Sequence, residues 1–227
     1  MPSVLISGAS RGLGLEFARQ YAADGWQVHA ACRDPANAKA LAALSGDVSV
    51  HKLEVTEKAS LDALALAVKS LALDVLIANA GVSGPRGMTP ELVDRDSWIE
   101  TLAVNTIAPL ALAGVLRRNL EKGKQRKVVA LSSWLGSITA NESGGLYVYR
   151  SAKAGLNAVW KSLAIDWREA GMICTVLHPG WVATDMGGAS ADLQPPESIA
   201  GMRKVIAGLT ARESGRFFNY DGSELPW

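Results

Sequence analysis

In the stretch LYVYRSAKAG at residues 146–155, two tyrosines stand two positions apart and a lysine follows. On an α-helix, residues four apart share a face, whereas residues two apart point to nearly opposite sides. Tyr149 has Lys153 at that spacing, and Tyr147 has Ser151. A phenol with a pKa of about 10 exchanges protons poorly at neutral pH. An ammonium held within about 4–6 Å favours its ionised form and makes it usable in acid–base catalysis. Tyr-x-x-x-Lys is also an ordinary feature of solvated helices, so what surrounds the pair has to decide its meaning.

A second group of residues suits a phosphate. SGASRGLG places Gly8, Gly12 and Gly14 between an apolar run and a helical one. There glycines let the chain turn tightly, and backbone amides at a helix N-terminus can face a pyrophosphate. The spacing is G-x-x-x-G-x-G, not the general dinucleotide G-x-G-x-x-G. At the end of the second apolar run, where an NAD site usually carries an acid for the ribose hydroxyls, the chain has Cys32 and then Arg33. Arg33 and Arg11 could form a fork for a 2′-phosphate, which favours NADPH over NADH.

The elements that must position these groups follow from periodicity. Apolar runs at 3–8, 27–32, 48–55, 74–81, 127–133 and 173–180, with a weaker one at 216–220, read as strands. Helical patterns lie between them: 13–25 ends on Gly25, PANAKALAALSG begins with a proline in its first turn, and EKASLDALALAVKSLA follows Thr56 as a candidate cap. Strands apolar throughout and alternating with helices indicate a parallel sheet covered on both faces. The expected fold is therefore α/β: one Rossmann-type, doubly wound domain over residues 1–227, with ligands beyond the carboxyl ends of the strands.

Composition narrows the function classes. The chain is 48% hydrophobic and 20% charged with a net charge of +1, which gives no electrostatic case for nucleic acid. RRNLEKGKQRK at 117–127 reads as a solvated helix end. The opening MPSVLISGASRG enters a strand directly and does not resemble a signal peptide, and no uncharged apolar run approaches the roughly 20 residues of a membrane span. Cys32 and Cys174, each in an apolar run, are expected to be buried free thiols in a cytoplasmic, reducing setting. No metal site is expected, because His29, His51 and His178 are dispersed, without paired spacing to one another or to the cysteines.

With the glycine turn, NAG at 79–81, Asn105 in a helix, LSS at 131–133 and the Tyr149/Lys153 pair, the chain resembles the short-chain dehydrogenase/reductase family over nearly its whole length. The resemblance implies that Tyr149 is the catalytic acid, that Lys153 lowers its pKa and holds the nicotinamide ribose, and that Ser133 polarises the substrate carbonyl. Asn105 is implied to hold a water that links Lys153 to solvent. Around the cofactor the resemblance implies Gly8, Ser10, Arg11, Gly12, Leu13 and Gly14 in the turn, with Arg33, Glu54 and Val55 beyond the next strands. Asn79, Ala80 and Gly81 would pass beside the adenosine, and Pro179, Gly180, Val182 and Thr184 would wrap the nicotinamide, which Tyr149 and Lys153 also touch. Two features depart from the family pattern. Glu54 stands where an aspartate is common, and the segment between Ser133 and Tyr149 is a few residues longer than usual. The longer segment leaves Ser132 as an alternative to Ser133; strand alternation points the two to opposite faces.

Within the family, SSWLGSI, SGGLYVYRSAK and the closing GRFFNYDGSELPW resemble the C-factor and sniffer-like carbonyl reductase group. Two functions follow as expectations: NADPH-dependent reduction of a small or medium ketone or aldehyde, or a cofactor-bound signalling protein of the C-factor type. The segments 82–91, 134–147 and 181–196 are expected to line the substrate side, with Met88, Trp134, Leu135, Tyr147, Trp181 and Met186 as apolar walls suited to a neutral carbonyl compound. The third is also expected to be a lid that orders over cofactor and substrate. The family often pairs the helices that carry Asn105 and Tyr149 across a homodimer interface.

Overall fold

The apolar runs become seven parallel strands of one sheet in the computed structural model, which describes residues 1–227. The strands are β1 (Ser3–Ser7), β2 (Gln27–Cys32), β3 (Val48–Lys52), β4 (Val75–Ala78), β5 (Lys127–Leu131), β6 (Ile173–His178) and β7 (Phe217–Asn219), in the spatial order β3-β2-β1-β4-β5-β6-β7. The order reverses between β1 and β4, and a doubly wound sheet opens its ligand crevice at that point. The helices are α1 (Gly12–Ala23), α2 (Lys39–Ala42), α3 (Lys58–Ala67), α4 (Arg95–Leu102), α5 (Ala108–Val115), α6 (Arg117–Lys122), α7 (Tyr147–Asp166) and α8 (Pro195–Gly208).

Strand alternation divides the core in two. Leu5, Leu76, Val128, Ala130 and Val176 face α3, α5, α6 and α7. Val4, Ile6, Val75, Ile77 and Val129 face α1, α2 and α8. Both faces are buried because parallel strands joined by right-handed crossovers are covered on each side. That is why the strands read as continuous apolar runs.

Local chemistry moved several boundaries. The helix expected from Pro35 forms only over Lys39–Ala42. The Asp34 carboxylate accepts from Asn37 N at 3.3 Å and from Asn37 Nδ2 at 2.6 Å, and the resulting turn delays helical winding. Thr56 does not cap α3; Glu57 holds that position, while the Thr56 hydroxyl donates to Glu54 Oε1 at 3.0 Å. Cys32 and Cys174 are buried and free. His29 and His51 are not dispersed, since their ring nitrogens lie 3.0 Å apart. The register of β2 and β3 pairs His29 with Ser49 and Ala31 with His51, which brings two distant histidines side by side on the sheet.

The run Arg95–Val115 is 21 residues of helix apolar enough, by length and composition, to cross a membrane. No single apolar stretch of sequence suggested it, because α4 and α5 are joined by a π-helical turn, Ala103–Ile107, that makes the helix continuous. In this fold the run packs against α7 and carries the fully buried Asn105.

Candidate active site

At the carboxyl end of the sheet, α7 brings its first turns up to the residues that leave β5. Gly144 (φ 63°), Gly145 (φ 62°) and Leu146 (φ 46°) form three successive left-handed residues, after which α7 begins at Tyr147. Leu146 bears the steric cost of that conformation, about 1–2 kcal/mol for an L-residue with a Cβ. Ser143 Oγ is held at 2.8 Å by Arg150 Nη2, and the Gly144 amide donates to Asn141 Oδ1 at 3.0 Å. The turn is thus fixed to the helix that it starts.

Tyr149, Lys153 and Asn157 follow one another at four-residue spacing down one face of α7. Lys153 Nζ donates to Leu131 O, the last carbonyl of β5, at 2.8 Å and stands 5.8 Å from the centre of the Tyr149 ring. Burial lowers the Lys153 pKa to about 8. Burial also pushes the Tyr149 phenol up, and a hydrogen bond with Ser133 partly offsets that. The sequence leads one to expect the opposite direction for Tyr149. The physical reason is that Lys153 lies over the ring and spends its hydrogen bond on Leu131, leaving desolvation to dominate the phenol.

The two serines after β5 are distinguished by their partners. The Ser132 hydroxyl donates to Asn157 Oδ1 at 2.6 Å, while Asn157 Nδ2 donates to Gly136 O at 3.2 Å. Ser132 is spent on holding the strand end to α7. The hydroxyl of Ser133 accepts from Leu135 N at 3.2 Å, starting a 3₁₀ turn at Trp134–Gly136, and faces Tyr149. Gly136 is also required here: a Cβ on it would lie 2.9 Å from the Lys153 backbone carbonyl carbon, so only glycine lets this turn press against the helix. Neither Gly136 nor Asn157 was singled out in the sequence. The four-residue ladder from Tyr149 would have found Asn157, but Gly136 had no signal beyond being a glycine after a strand.

Asn105 lies in the π-helical turn, where the extra residue per turn redirects a side chain out of the α-helical pattern. Its amide closes a reciprocal pair with Val82, Nδ2 donating to Val82 O at 2.8 Å and Oδ1 accepting from Val82 N at 2.9 Å. A Cβ built on Gly81 would meet Asn105 Oδ1 at 3.2 Å and Lys153 Nζ at 3.8 Å. Asn105, Lys153 and the NAG turn therefore converge on one point, and Thr106 Oγ1 donating to Ala152 O at 2.8 Å fixes the π turn to α7.

The glycine turn forms as its spacing requires. Gly8 (φ 67°) and Gly12 (φ 55°) take left-handed conformations, and a Cβ on Gly14 would sit 2.3 Å from Gly8 O. The Asn79 amide donates to Ser7 O at 2.9 Å and to Gly8 O at 3.1 Å, so its side chain braces the turn rather than reaching outward. Its neighbour Ala80 is bound through its amide to Ser7 Oγ at 3.1 Å. Arg33 is exposed just past β2, and Ser10 and Leu13 are partly buried in the turn. Glu54 has its carboxylate engaged by Thr56, with Val55 beside it partly buried. Arg11 faces another partner: its Nη1 lies 2.6 Å from Asp185 Oδ2.

Beyond β6, Pro179 O accepts from Ser198 Oγ at 2.6 Å, and Gly180 turns the chain at φ 81°. Val182 is buried and bridges to Leu193, while Thr184 Oγ1 accepts from Gly187 N at 3.1 Å. Trp134, Tyr147, Trp181 and Met186 are each between 41% and 53% exposed, which makes them walls open to solvent rather than core. Leu135 and Met88 are partly buried. The turn and the N-terminus of α1 can cradle a pyrophosphate. Ser133, Lys153 and Asn105, all buried, gather with Tyr149 beyond the carboxyl ends of β4 and β5, next to the switch point between β1 and β4. There a serine, a phenol and an amine could exchange a proton with a bound ligand.

Comparison with known proteins bears on the family and the fold. A family model described as short chain dehydrogenase matches residues 2–194. The C-signal protein of Myxococcus xanthus is 44% identical over 155 residues, 68% of this chain and 93% of that protein. Among solved structures, the carbonyl reductase Sniffer of D. melanogaster superposes with a TM-score of 0.92 at 35% identity over the whole of both chains. The NADPH-bound carbonyl reductase from chicken fatty liver superposes with a TM-score of 0.92 at 35% identity, covering 100% of this chain and 99% of that one.

Proposed function

We infer that this chain, which belongs to the short-chain dehydrogenase family in its C-factor and sniffer-like group and is a nicotinamide-dependent oxidoreductase, acts on a small molecule. From that premise we propose that it is an NADPH-dependent reductase of small or medium neutral ketones and aldehydes, working as one dinucleotide-binding and catalytic unit. The convergence of Ser133, Tyr149, Lys153 and Asn105 carries the reading.

When bound, the nicotinamide supplies the hydride that adds to the carbonyl carbon. Ser133 donates a hydrogen bond to the substrate oxygen as negative charge develops there. Tyr149 then gives that oxygen its phenolic proton as the carbon–oxygen π bond breaks, which yields the alcohol. Burial keeps the Tyr149 phenol protonated before reaction, and the transfer is driven by the alkoxide character that the substrate oxygen gains on hydride addition, which makes it a far stronger base than a phenolate. Lys153, with its pKa at about 8, lies near the working pH, where a proton relay is most effective, and Asn105 completes the path from Lys153 toward solvent. Lys153 also holds the nicotinamide ribose.

NADPH over NADH is supported by Arg33 and Arg11 near the adenosine ribose, by the lack of an acid at the end of β2, and by the likeness to an NADPH-bound carbonyl reductase. The exposed aromatic and aliphatic walls, with few charges among them, support a neutral substrate. Ile99, Ile107, Leu110 and Ile165 leave an apolar outer face on α4, the π turn, α5 and α7 that supports pairing of two copies; light scattering that shows a monomer would remove that part of the reading. Buried free thiols support a reducing, cytoplasmic setting.

Replacing Tyr149 by Phe tests the mechanism. Carbonyl reduction is expected to fall by about 10²–10⁴-fold while nicotinamide binding is retained. Wild-type rates in Tyr149→Phe would refute it. The likeness to the C-signal protein favours a second reading, a signalling protein that uses the cofactor as a structural part. A biological effect that persists in Tyr149→Phe would select that reading, and strict dependence on Tyr149 would reject it.

A further inference from the structure

The ion pair between Arg11 and Asp185 joins two segments of the cleft that lie far apart in the chain. Arg11 is the residue immediately before α1, in the glycine turn, and Asp185 belongs to the loop that follows β6. Arg11 has no cap bond of its own to α1, and the first turn of that helix carries no acid. The carboxylate offered to this phosphate-binding turn therefore comes from 174 residues away in the chain.

The loop holding Asp185 is organised internally. Ala183 N donates to Leu193 O at 2.9 Å, Leu193 N to Trp181 O at 3.2 Å, and Trp181 Nε1 to Gly187 O at 2.8 Å. Val182, Ala191 and Leu193 are buried and anchor the base of the loop, while the polar side-chain ties at its tip are two: Arg86 Nη2 donates to Met186 O at 3.4 Å on one side, and Arg11 meets Asp185 on the other. Both members of the ion pair are exposed, at 70% and 78% of their side chains, so Arg11 can leave Asp185 at little cost. A phosphate is the stronger partner, since a dianion with several acceptor oxygens matches the guanidinium fork better than one carboxylate does.

We propose that Asp185 is an internal competitor for the 2′-phosphate of NADPH. It occupies Arg11 until that phosphate takes the guanidinium, and the exchange frees the loop that covers the substrate side. The inference rests on the reading above in which Arg11 faces the 2′-phosphate. NADH carries no such group, so with NADH the pair between Arg11 and Asp185 stays closed. Asp185 thereby weakens NADPH binding alone, and the release of its loop distinguishes one cofactor from the other.

The test is a fluorescence titration of the full chain with NADPH and with NADH at low and at high salt, on wild type, Asp185→Asn, Arg11→Ala and the double variant. Asp185 is exposed, and its replacement leaves the core intact. At low salt, Asp185→Asn is expected to tighten NADPH on the order of 2- to 5-fold, the range of an exposed ion pair, and to leave NADH unchanged. The gain should shrink with added salt and vanish in the Arg11→Ala background. Weaker NADPH binding in Asp185→Asn would overturn the proposal by showing that Asp185 positions Arg11. An unchanged NADPH affinity would overturn it as well. Failure of wild type to bind either cofactor would instead defeat the reductase reading, and this inference with it.

Discussion

Ser133, Lys153 and Asn105 are each no more than 8% exposed, and each is held by hydrogen bonds that cross between elements or pin a turn. Arg11 and Arg33, at the glycine-turn end of the same cleft, stand in solvent, and the one ion pair that Arg11 makes is with a carboxylate that is itself exposed. The two ends meet different physical demands. Proton transfer depends on donor and acceptor positions fixed before the substrate arrives, in surroundings that exclude water. Recognition of a phosphate that comes and goes can rely on long, hydrated side chains that reorganise cheaply. Substitutions should accordingly produce large, sharp effects at the buried end and small, salt-dependent ones at the exposed end.

The largest expected effect separates the two serines. Ser133→Ala should lower kcat by about 10²–10³-fold, the usual cost of one oxyanion donor. Ser132→Ala should instead cost about 1–3 kcal/mol of stability by leaving Asn157 unpaired, with kcat nearly unchanged. Steady-state kinetics with thermal melts of both variants would check this; the reverse pattern would exchange their roles. Next in size is pH. Below about 8 Lys153 is an ammonium, and above it a neutral amine. Reduction should therefore fall as pH rises through that value, by up to about tenfold per unit, and a profile flat from about 6 to 9.5 would mean that Lys153 does not relay the proton that Tyr149 gives. The smallest belongs to the exposed end. Arg33→Ala should weaken NADPH by about tenfold, equivalent to about 1.4 kcal/mol, and leave NADH alone. Equal losses for both cofactors would make Arg33 a general rather than a phosphate-selective contact.

Much of this was legible without coordinates. Apolar runs set the strands because both faces of a parallel sheet are buried, and the four-residue spacing of Tyr149 and Lys153 survives in any helix that contains them. What stayed hidden came from contacts between segments distant in the chain. Leu131 O draws the Lys153 ammonium away from the phenol, Asn157 claims Ser132, and Ser7 O and Gly8 O claim Asn79. Each depends on which strand end lies beside which helix, and no local pattern encodes that. The helix expected from Pro35 is shorter than its sequence suggested for a local reason, because the turn between Asp34 and Asn37 competes with its first turn.

The sequence by itself determined the parallel α/β sheet, the glycine turn and the set of residues able to exchange a proton, because periodicity, φ tolerance and side-chain chemistry are properties of short segments. Only the tertiary structure decided which serine faces Tyr149, in which direction burial moves the tyrosine and lysine, and that Arg11 meets Asp185. Desolvation and pairing depend on what packs against a group from elsewhere in the chain, and that is fixed only when the sheet closes and α7 settles against it.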